Sequence, residues 1–273
     1  MLQLQRMLPA PPGAEHPTRD LITLLRGTAP VGAAPPGSSR PMWASRRVSE
    51  GEVLVHQGSR AQVCLVLLHG CLKRTATMED GFEQVLSVAL GGELLGFETL
   101  HQCAHPATIT ALRSGEVCAL PFGDLMAAQS QYPSVTHALN RSLGKQLTCA
   151  AETAHMTAAV AGETRVARFL LWWSSRTGQA GAWARSLELC LGRKDIASLL
   201  GVAHETVSRS LSALVEAGCL TVDNRHVEIL APSVLLDRAR VTRGQGAGGA
   251  GRQAAWAADI PPRNVWPPIA SAH

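Results

Sequence analysis

One stretch near the end of the chain, residues 193–229, constrains the fold more than any other. It opens with a short segment whose apolar residues recur at helical spacing. Asp195 is predicted to cap this first helix, and Gly201 follows it. Glycine accepts the positive φ that a tight turn between two helices requires. A second helical segment, residues 205–216, precedes two short apolar runs that predict a hairpin. Helix, turn, helix and hairpin in this order predict a winged helix-turn-helix.

The outward face of the second helix carries side chains suited to a DNA major groove. Arg209 can donate two hydrogen bonds to guanine O6 and N7, Glu205 can accept one from cytosine N4, and Ser208 can contact a base or a thymine methyl. Glu205 and Arg209 are four residues apart, so they could instead form a surface ion pair worth only about 0.2–0.5 kcal/mol. Within a helix-turn-helix, the spacing favours base contact by Glu205, Ser208 and Arg209.

Three cations flank this motif and are predicted to contact DNA phosphates, namely Arg193, Lys194 and Arg225. The residue before the second helix is Ala203, which has no side-chain oxygen to cap a helix. Such a position costs about 0.5–2 kcal/mol relative to Ser or Thr. We therefore expect an uncapped recognition helix.

The middle of the chain changes from a strand pattern to a helix pattern. Residues 46–120 contain short apolar runs at hairpin-scale intervals, with breaks predicted at residues 69–70 and 114–115. From residue 132 to 156 the apolar spacing becomes three and four, which predicts one long amphipathic helix. Its narrow stripe could face the protein's own core or a partner helix, and a helix that links two domains favours the partner. The predicted interface residues are Leu139, Leu143, Gln146 and Ala150.

Composition narrows the class of protein without naming it. The net charge of +4 is carried by the two ends of the chain, so charge alone does not indicate a nucleic-acid partner. Residues 1–44 and 233–273 are rich in Pro, Gly and Ala and are predicted to be disordered. The sequence contains neither a long apolar run nor a secretory signal, so we expect no membrane association and a cytoplasmic location. In that compartment the seven cysteines are expected to be reduced thiols.

The order of β-domain, long helix and helix-turn-helix resembles the CRP/FNR superfamily of dimeric bacterial transcription regulators over about residues 45–230. Residues 201–209, GVAHETVSR, resemble the FNR branch, which places Glu, Ser and Arg of its recognition helix against a TTGAT-like half-site. His204 stands where the cyclic-AMP branch has Arg. The resemblance implies an α+β fold with a cyclic-nucleotide-binding-like β-roll (45–126), a dimerisation helix (127–160) and a winged helix-turn-helix (161–232). It also implies a homodimeric activator whose partners are double-stranded DNA and RNA polymerase.

The same resemblance limits the ligands that the β-roll is expected to bind. Residues 92–98, GELLGFE, resemble the phosphate cassette of the superfamily, but Ala107 and Thr108 stand where a cyclic-nucleotide binder has Arg and Ser. Without that Arg, the cyclic phosphate loses its main charge-assisted contact, so we expect no cyclic-AMP binding. Cys118 corresponds to the later iron–sulfur ligand of oxygen sensors, but the N-terminal cysteines are absent, since the first cysteine is Cys64. This argues against an iron–sulfur cluster and favours a buried strand thiol at Cys118.

A second candidate site and a second function stay open. His101, Cys103 and His105 form a His-x-Cys-x-His run, whose members would share one face of an extended segment and suit zinc, copper or haem iron. The run could equally be a solvated loop. The alternative function is a metal, haem or redox sensor whose main output is not DNA binding. An enzyme is not predicted, because no nucleophile–base pair, phosphate-binding glycine loop or paired-carboxylate motif occurs.

Overall fold

The computed structural model describes residues 45–99, 103–131, 133–178 and 184–240. The predicted disordered segment 1–44 and most of the predicted C-terminal tail lie outside these residues. Among the helices that the structure describes, none is long and apolar enough to cross a membrane.

The N-terminal part is an antiparallel β-roll. Its main path runs β1-β6-β3-β4, with β2 paired to β6 and β5 paired to β3. The two long central strands, β3 and β6, pair along almost their whole length, and both carry many buried residues. The strands are β1 (Ser45–Val48), β2 (Val53–Val55), β3 (Val63–Thr77), β4 (Glu83–Leu90), β5 (Glu93–Leu95) and β6 (Thr108–Pro121). The predicted β-roll is confirmed.

The strand breaks predicted at residues 69–70 and 114–115 are wrong, since both strands run on through these positions. Gly70 and Gly115 lie opposite each other where β3 and β6 approach closely. A Cβ atom on Gly70 would lie 3.0 Å from the Gly115 Cα, and one on Gly115 would overlap the carbonyl oxygen of His69. Glycine inside a strand can mark close backbone approach as well as a break, and here it marks close approach.

Replacing Gly115 with Ala is expected to destabilise the protein by about 1–3 kcal/mol, because the added methyl group overlaps backbone that cannot move aside as a side chain can. The free energy of unfolding in urea measures the effect. Gly123→Ala is the matched control, since a Cβ at Gly123 meets no atom within 4 Å. Equal stability of the two variants would contradict the close approach.

Two helices pack against the β-roll: α1 (Phe122–Gln131) and α2 (Pro133–Thr157). The long helix predicted over residues 132–156 is confirmed as α2. The predicted span 127–160 is divided, because α1 already begins at Phe122 and a new helix starts at Pro133. Proline is well tolerated in the first turn of a helix and disfavours a helical conformation at the residue before it.

The C-terminal part is a winged helix-turn-helix with a three-stranded sheet of order β7-β9-β8. Phe169, Trp172 and Trp173 pack in its core with tilted rings whose centroids are 5.9–6.0 Å apart. Its elements are α3 (Gly162–Thr177), β7 (Ser186–Glu188), α4 (Arg193–Leu200), α5 (His204–Glu216), β8 (Leu220–Asp223), β9 (His226–Ile229) and α6 (Pro232–Arg240).

The predicted disordered tail is wrong for residues 233–240, which belong to α6. Leu235 and Ala239 lie one turn apart and are both buried. The helix packs on α3, where the buried guanidinium of Arg168 donates a hydrogen bond of 2.9 Å to the Ala239 carbonyl oxygen. Helix α6 therefore completes the core of the C-terminal domain.

A disulfide joins the two domains and corrects the prediction that all cysteines are reduced. It links Cys71 on β3 to Cys190, which follows β7, at a sequence separation of 119 residues and with 6.8 Å between their Cα atoms. This Cα separation is within the range that a disulfide can bridge. Only the packing of the C-terminal domain on the β-roll brings the two sulfur atoms together.

Candidate nucleic-acid interface

The turn between α4 and α5 has the geometry that its sequence predicts. Gly201 has a φ of 61° and ends α4 in the left-handed conformation. The backbone N–H of Val202 then donates a hydrogen bond of 3.0 Å to the Ala197 carbonyl oxygen, which closes the turn. Ala203 precedes α5 without a side-chain cap, as expected. The cap predicted at Asp195 is wrong, because α4 already begins at Arg193 and Asp195 lies within its first turn.

Helix α5 has one buried face and one exposed face. Val207, Leu211 and Leu214 are buried in the domain core. Glu205 and Arg209 are exposed on the other side, and Ser208 between them is half-buried. Neither Glu205 nor Arg209 forms an ion pair with another described residue, so the predicted alternative of a Glu205–Arg209 pair is not formed. Both side chains are available for an external partner.

Arg165 on α3 stabilises the turn of this motif, a role that the sequence does not predict. Its Nη1 donates hydrogen bonds to the carbonyl oxygens of Leu200 (2.8 Å) and Gly201 (3.0 Å), and its Nε donates to the Ala159 oxygen (2.7 Å). The guanidinium thus satisfies carbonyl groups at the C-terminal end of α4. Nothing local distinguishes Arg165 from an ordinary surface arginine, so no sequence signal could have revealed this role.

The three predicted phosphate-contacting cations lie in different environments. Lys194 is exposed on the first turn of α4. Arg193 is half-buried and donates a hydrogen bond of 3.3 Å to the Asn224 carbonyl oxygen at the tip of the wing. Arg225, also at that tip, lies 3.8 Å from a carboxylate oxygen of Glu50 in the β-roll. The structure therefore leaves Lys194 exposed and places Arg225 against the β-roll.

Helix α4 is tied directly to the β-roll. Lys73 on β3 forms an ion pair of 2.6 Å with Asp195, and the Val85 N–H on β4 donates a hydrogen bond of 2.8 Å to Ser198 Oγ. A change in the β-roll can therefore be passed to the first helix of the DNA-binding motif through these contacts.

Glu93 makes a second, more buried connection between the domains. Its carboxylate lies 2.6 Å from the Arg176 guanidinium of α3 and 3.3 Å from the Lys145 ammonium of α2. Burial on its own raises the pKa of Glu93, but Arg176 and then Lys145 outweigh it and hold the pKa below its ordinary value. The carboxylate therefore remains charged and links the β-roll to two helices.

The structure corrects part of the predicted dimer interface on α2. Leu139 is only 1% exposed within its own protomer, and Gln146 donates a hydrogen bond of 2.7 Å to the Leu94 carbonyl oxygen of the β-roll. Leu143 packs at the edge of the same core, and Ala150 alone of the four is exposed. The apolar stripe that the sequence reveals is thus mainly the face that packs on the β-roll.

The weak candidate metal ligands lie in different environments where the structure describes them. His101 lies outside the described residues, and Cys103 is exposed with a φ of 58°, so the run is not extended at that point. His105 and Cys118 are both buried, the latter opposite Val66 in the sheet. Among the residues that the structure describes, no group of three or more His, Cys, Asp or Glu side chains could hold a metal ion.

Comparisons with known families agree with both halves of this architecture. Residues 45–132 match the cyclic nucleotide-binding domain, and residues 164–238 match the Crp-like helix-turn-helix domain. The chain belongs to the CRP/FNR family. Among its curated relatives, the anaerobic regulatory protein of Pasteurella multocida is 28% identical over 72% of each chain. The fumarate and nitrate reduction regulatory protein of Escherichia coli is 27% identical over 72% of this chain and 78% of its own.

Solved structures share the fold. FixK2 from Bradyrhizobium japonicum superposes with a TM-score of 0.64 at 24% identity, over 71% of this chain and 96% of its own. A CRP/FNR-family transcriptional regulator from Thermus thermophilus gives a TM-score of 0.59 at 19% identity, over 73% and 100%. The two matched domains and the curated regulators identify the chain as a DNA-binding transcription regulator of the CRP/FNR type. Its relatives are transcription regulators and not enzymes. This confirms the prediction that the protein is not an enzyme, and it disfavours the alternative of a sensor whose main output is not DNA binding.

Proposed function

We propose that this CRP/FNR regulator binds a palindromic DNA site as a homodimer in the cytoplasm, with a TTGAT-like sequence in each half-site. The observation that carries the proposal is the exposed face of α5, where Glu205, Ser208 and Arg209 point away from the domain core. In a major groove, Arg209 would contact the guanine, Glu205 the cytosine of the opposite strand and Ser208 a neighbouring thymine.

The proposed dimer contact lies on an outer, exposed face of α2, next to the face that packs on the β-roll. Leu147 is 73% exposed there, so a large apolar side chain lies on the surface of the protomer. Small or polar exposed residues continue the same face at spacings of three and four, the period of a two-helix seam. They are Asn140, Gly144, Ala151 and Ala154. Ala150, from the predicted set, flanks this seam.

A binding selection on random duplexes tests the proposed site. We expect palindromes with TTGA-like half-sites whose centres lie about 34–36 Å apart, one turn of the double helix. Recovery of TGTGA-like half-sites, which the cyclic-AMP branch would select, would contradict the FNR-type assignment, as would the absence of any palindrome.

We propose further that the bound dimer activates transcription and that RNA polymerase is its protein partner. The support is the resemblance of residues 201–209 to the FNR branch. Run-off transcription with purified polymerase, from a promoter that carries the selected site upstream, should increase when the protein is added. A decrease would indicate a repressor.

Cyclic AMP is not proposed as the signal, and the residues of the β-roll do not fit its phosphate. Ala107 is buried, the hydroxyl of Thr108 already accepts a hydrogen bond of 3.1 Å from the Gln57 N–H, and Arg74 is paired with Glu98. Calorimetric titration with cyclic AMP is expected to show no binding at micromolar concentrations. Micromolar affinity would contradict this proposal.

An iron–sulfur cluster is not proposed either, because the described thiols do not fit cluster ligation. Cluster ligands are thiolates. Burial, with a smaller contribution from the charge of Glu98, raises the pKa of the Cys64 thiol far above its ordinary value. Cys118 is also buried, in the neighbouring strand β6. We therefore place the signal input of the regulator elsewhere in the structure.

A further inference from the structure

The Cys71–Cys190 pair lies at the boundary between the β-roll and the DNA-binding domain. Both residues line a cleft of about 430 Å³ whose walls also include Arg113 of β6, Trp173 of α3 and Glu188 of β7. The cleft is large enough to hold a small molecule beside the cysteine pair. Both cysteines are buried in an apolar cluster to which the two domains contribute, and the cleft lies beside them.

We propose that Cys71 and Cys190 form a peroxide-responsive latch that fixes the DNA-binding domain against the β-roll. The inference rests on the proposed function, since it assigns a regulation to the DNA site. Disulfides in cytoplasmic proteins are usually transient, catalytic or redox-sensing, because that compartment keeps thiols reduced. In the proposed cytoplasmic location, a disulfide that joins two domains would therefore form in response to an oxidant.

The chemistry balances with a hydroperoxide as the oxidant. The thiolate of one cysteine attacks a peroxide oxygen and breaks the O–O bond, which leaves a sulfenic acid and, with hydrogen peroxide, releases one water. The second thiol then attacks the sulfenic sulfur, so the S–S bond forms and a second water leaves. Two thiols and one hydrogen peroxide thus give one disulfide and two waters. A dithiol reverses the step by exchange and becomes the cyclic disulfide.

The latched arrangement opposes DNA binding at the wing. In this arrangement Arg225 at the wing tip faces the carboxylate of Glu50 at 3.8 Å. Below it, Glu188 of β7 is paired with Arg113 of the β-roll at 2.8 Å. When the wing is held in this position, Arg225 faces the β-roll and cannot contact a DNA phosphate. These exposed pairs are weak on their own, so the covalent link is what keeps the wing there.

The experiment compares the full-length protein after treatment with hydrogen peroxide and after treatment with dithiothreitol. Mass spectrometry of unreduced peptides locates the disulfide, and fluorescence anisotropy measures affinity for a TTGA palindrome and for a scrambled duplex. We expect a Cys71–Cys190 cross-linked peptide and an affinity at least tenfold weaker after oxidation, restored by dithiothreitol. Cys71→Ser and Cys190→Ser should bind equally well in both conditions, whereas Cys103→Ser, a control at an exposed cysteine, should respond like the wild type.

A readout without DNA separates this proposal from the proposed site. The Val85 N–H bonds to Ser198 across the domain boundary, so its hydrogen exchange should be slower in the oxidised wild type than in the reduced one. Absence of the cross-linked peptide would overturn the latch. The latch would also be overturned if the disulfide formed but both the DNA affinity and the hydrogen exchange of the Val85 N–H stayed unchanged. Equal affinity of the reduced protein for both duplexes would overturn the proposed DNA site, while the Val85 exchange would still decide the latch.

Discussion

Replacing Arg209 with Ala is expected to weaken binding to a TTGA palindrome by about 1–3 kcal/mol per half-site and to remove the preference for guanine. Arg209 is exposed on α5 and forms no ion pair with another described residue, so its loss should leave the fold intact. A symmetric dimer loses the contact twice, which makes this the largest effect expected from one substitution on the DNA-binding face. Anisotropy titrations on the palindrome, and on a duplex with the guanine replaced, measure both the loss and the discrimination.

Lys194→Ala is the matched control for this experiment. Lys194 is exposed at the start of α4 and is expected to contact a phosphate, which carries no sequence information. Its removal should weaken binding to all duplexes alike and reduce the slope of log affinity against log salt by about one unit. If the Arg209 variant kept its discrimination for guanine, Arg209 would not be the base-reading residue.

The second large effect is expected at Leu147, where replacement by Glu should dissociate the dimer. In the proposed seam, the two symmetry-related positions would bring two carboxylates into an apolar contact. An uncompensated buried charge costs about 3–5 kcal/mol, enough to make the protein monomeric at micromolar concentration. Sedimentation velocity measures the change, and the palindrome should then be bound only weakly, because each monomer contacts one half-site.

Val160→Glu is the control, since Val160 is 74% exposed but lies beyond the end of α2. That variant should sediment as the wild type does. A Leu147→Glu variant that also kept the wild-type sedimentation coefficient would show that the outer face of α2 is not the dimer contact. Leu139 cannot serve as the test, because its side chain is in the protomer core and a charge there would unfold the β-roll.

Local rules made the DNA-binding motif predictable from the sequence. Gly201 takes a positive φ in the turn, and Val207 and Leu211 repeat at a helical spacing that buries one face of α5. Glu205, Ser208 and Arg209 fall on the opposite face for the same geometric reason. Each of these features depends on residues within one or two helical turns, so no distant part of the chain had to be known.

Contacts between segments far apart in the chain were decided only by the tertiary structure. The stripe of α2 was visible in the sequence, but an apolar stripe does not state which apolar surface covers it, and Leu139 packs on its own β-roll. The sequence predicts strand breaks at Gly70 and Gly115, but the structure shows that β3 and β6 approach each other closely at these glycines. The spacing of Cys71 and Cys190 reveals no bond, because their sequence separation is 119 residues and only the docking of two domains brings their sulfur atoms together.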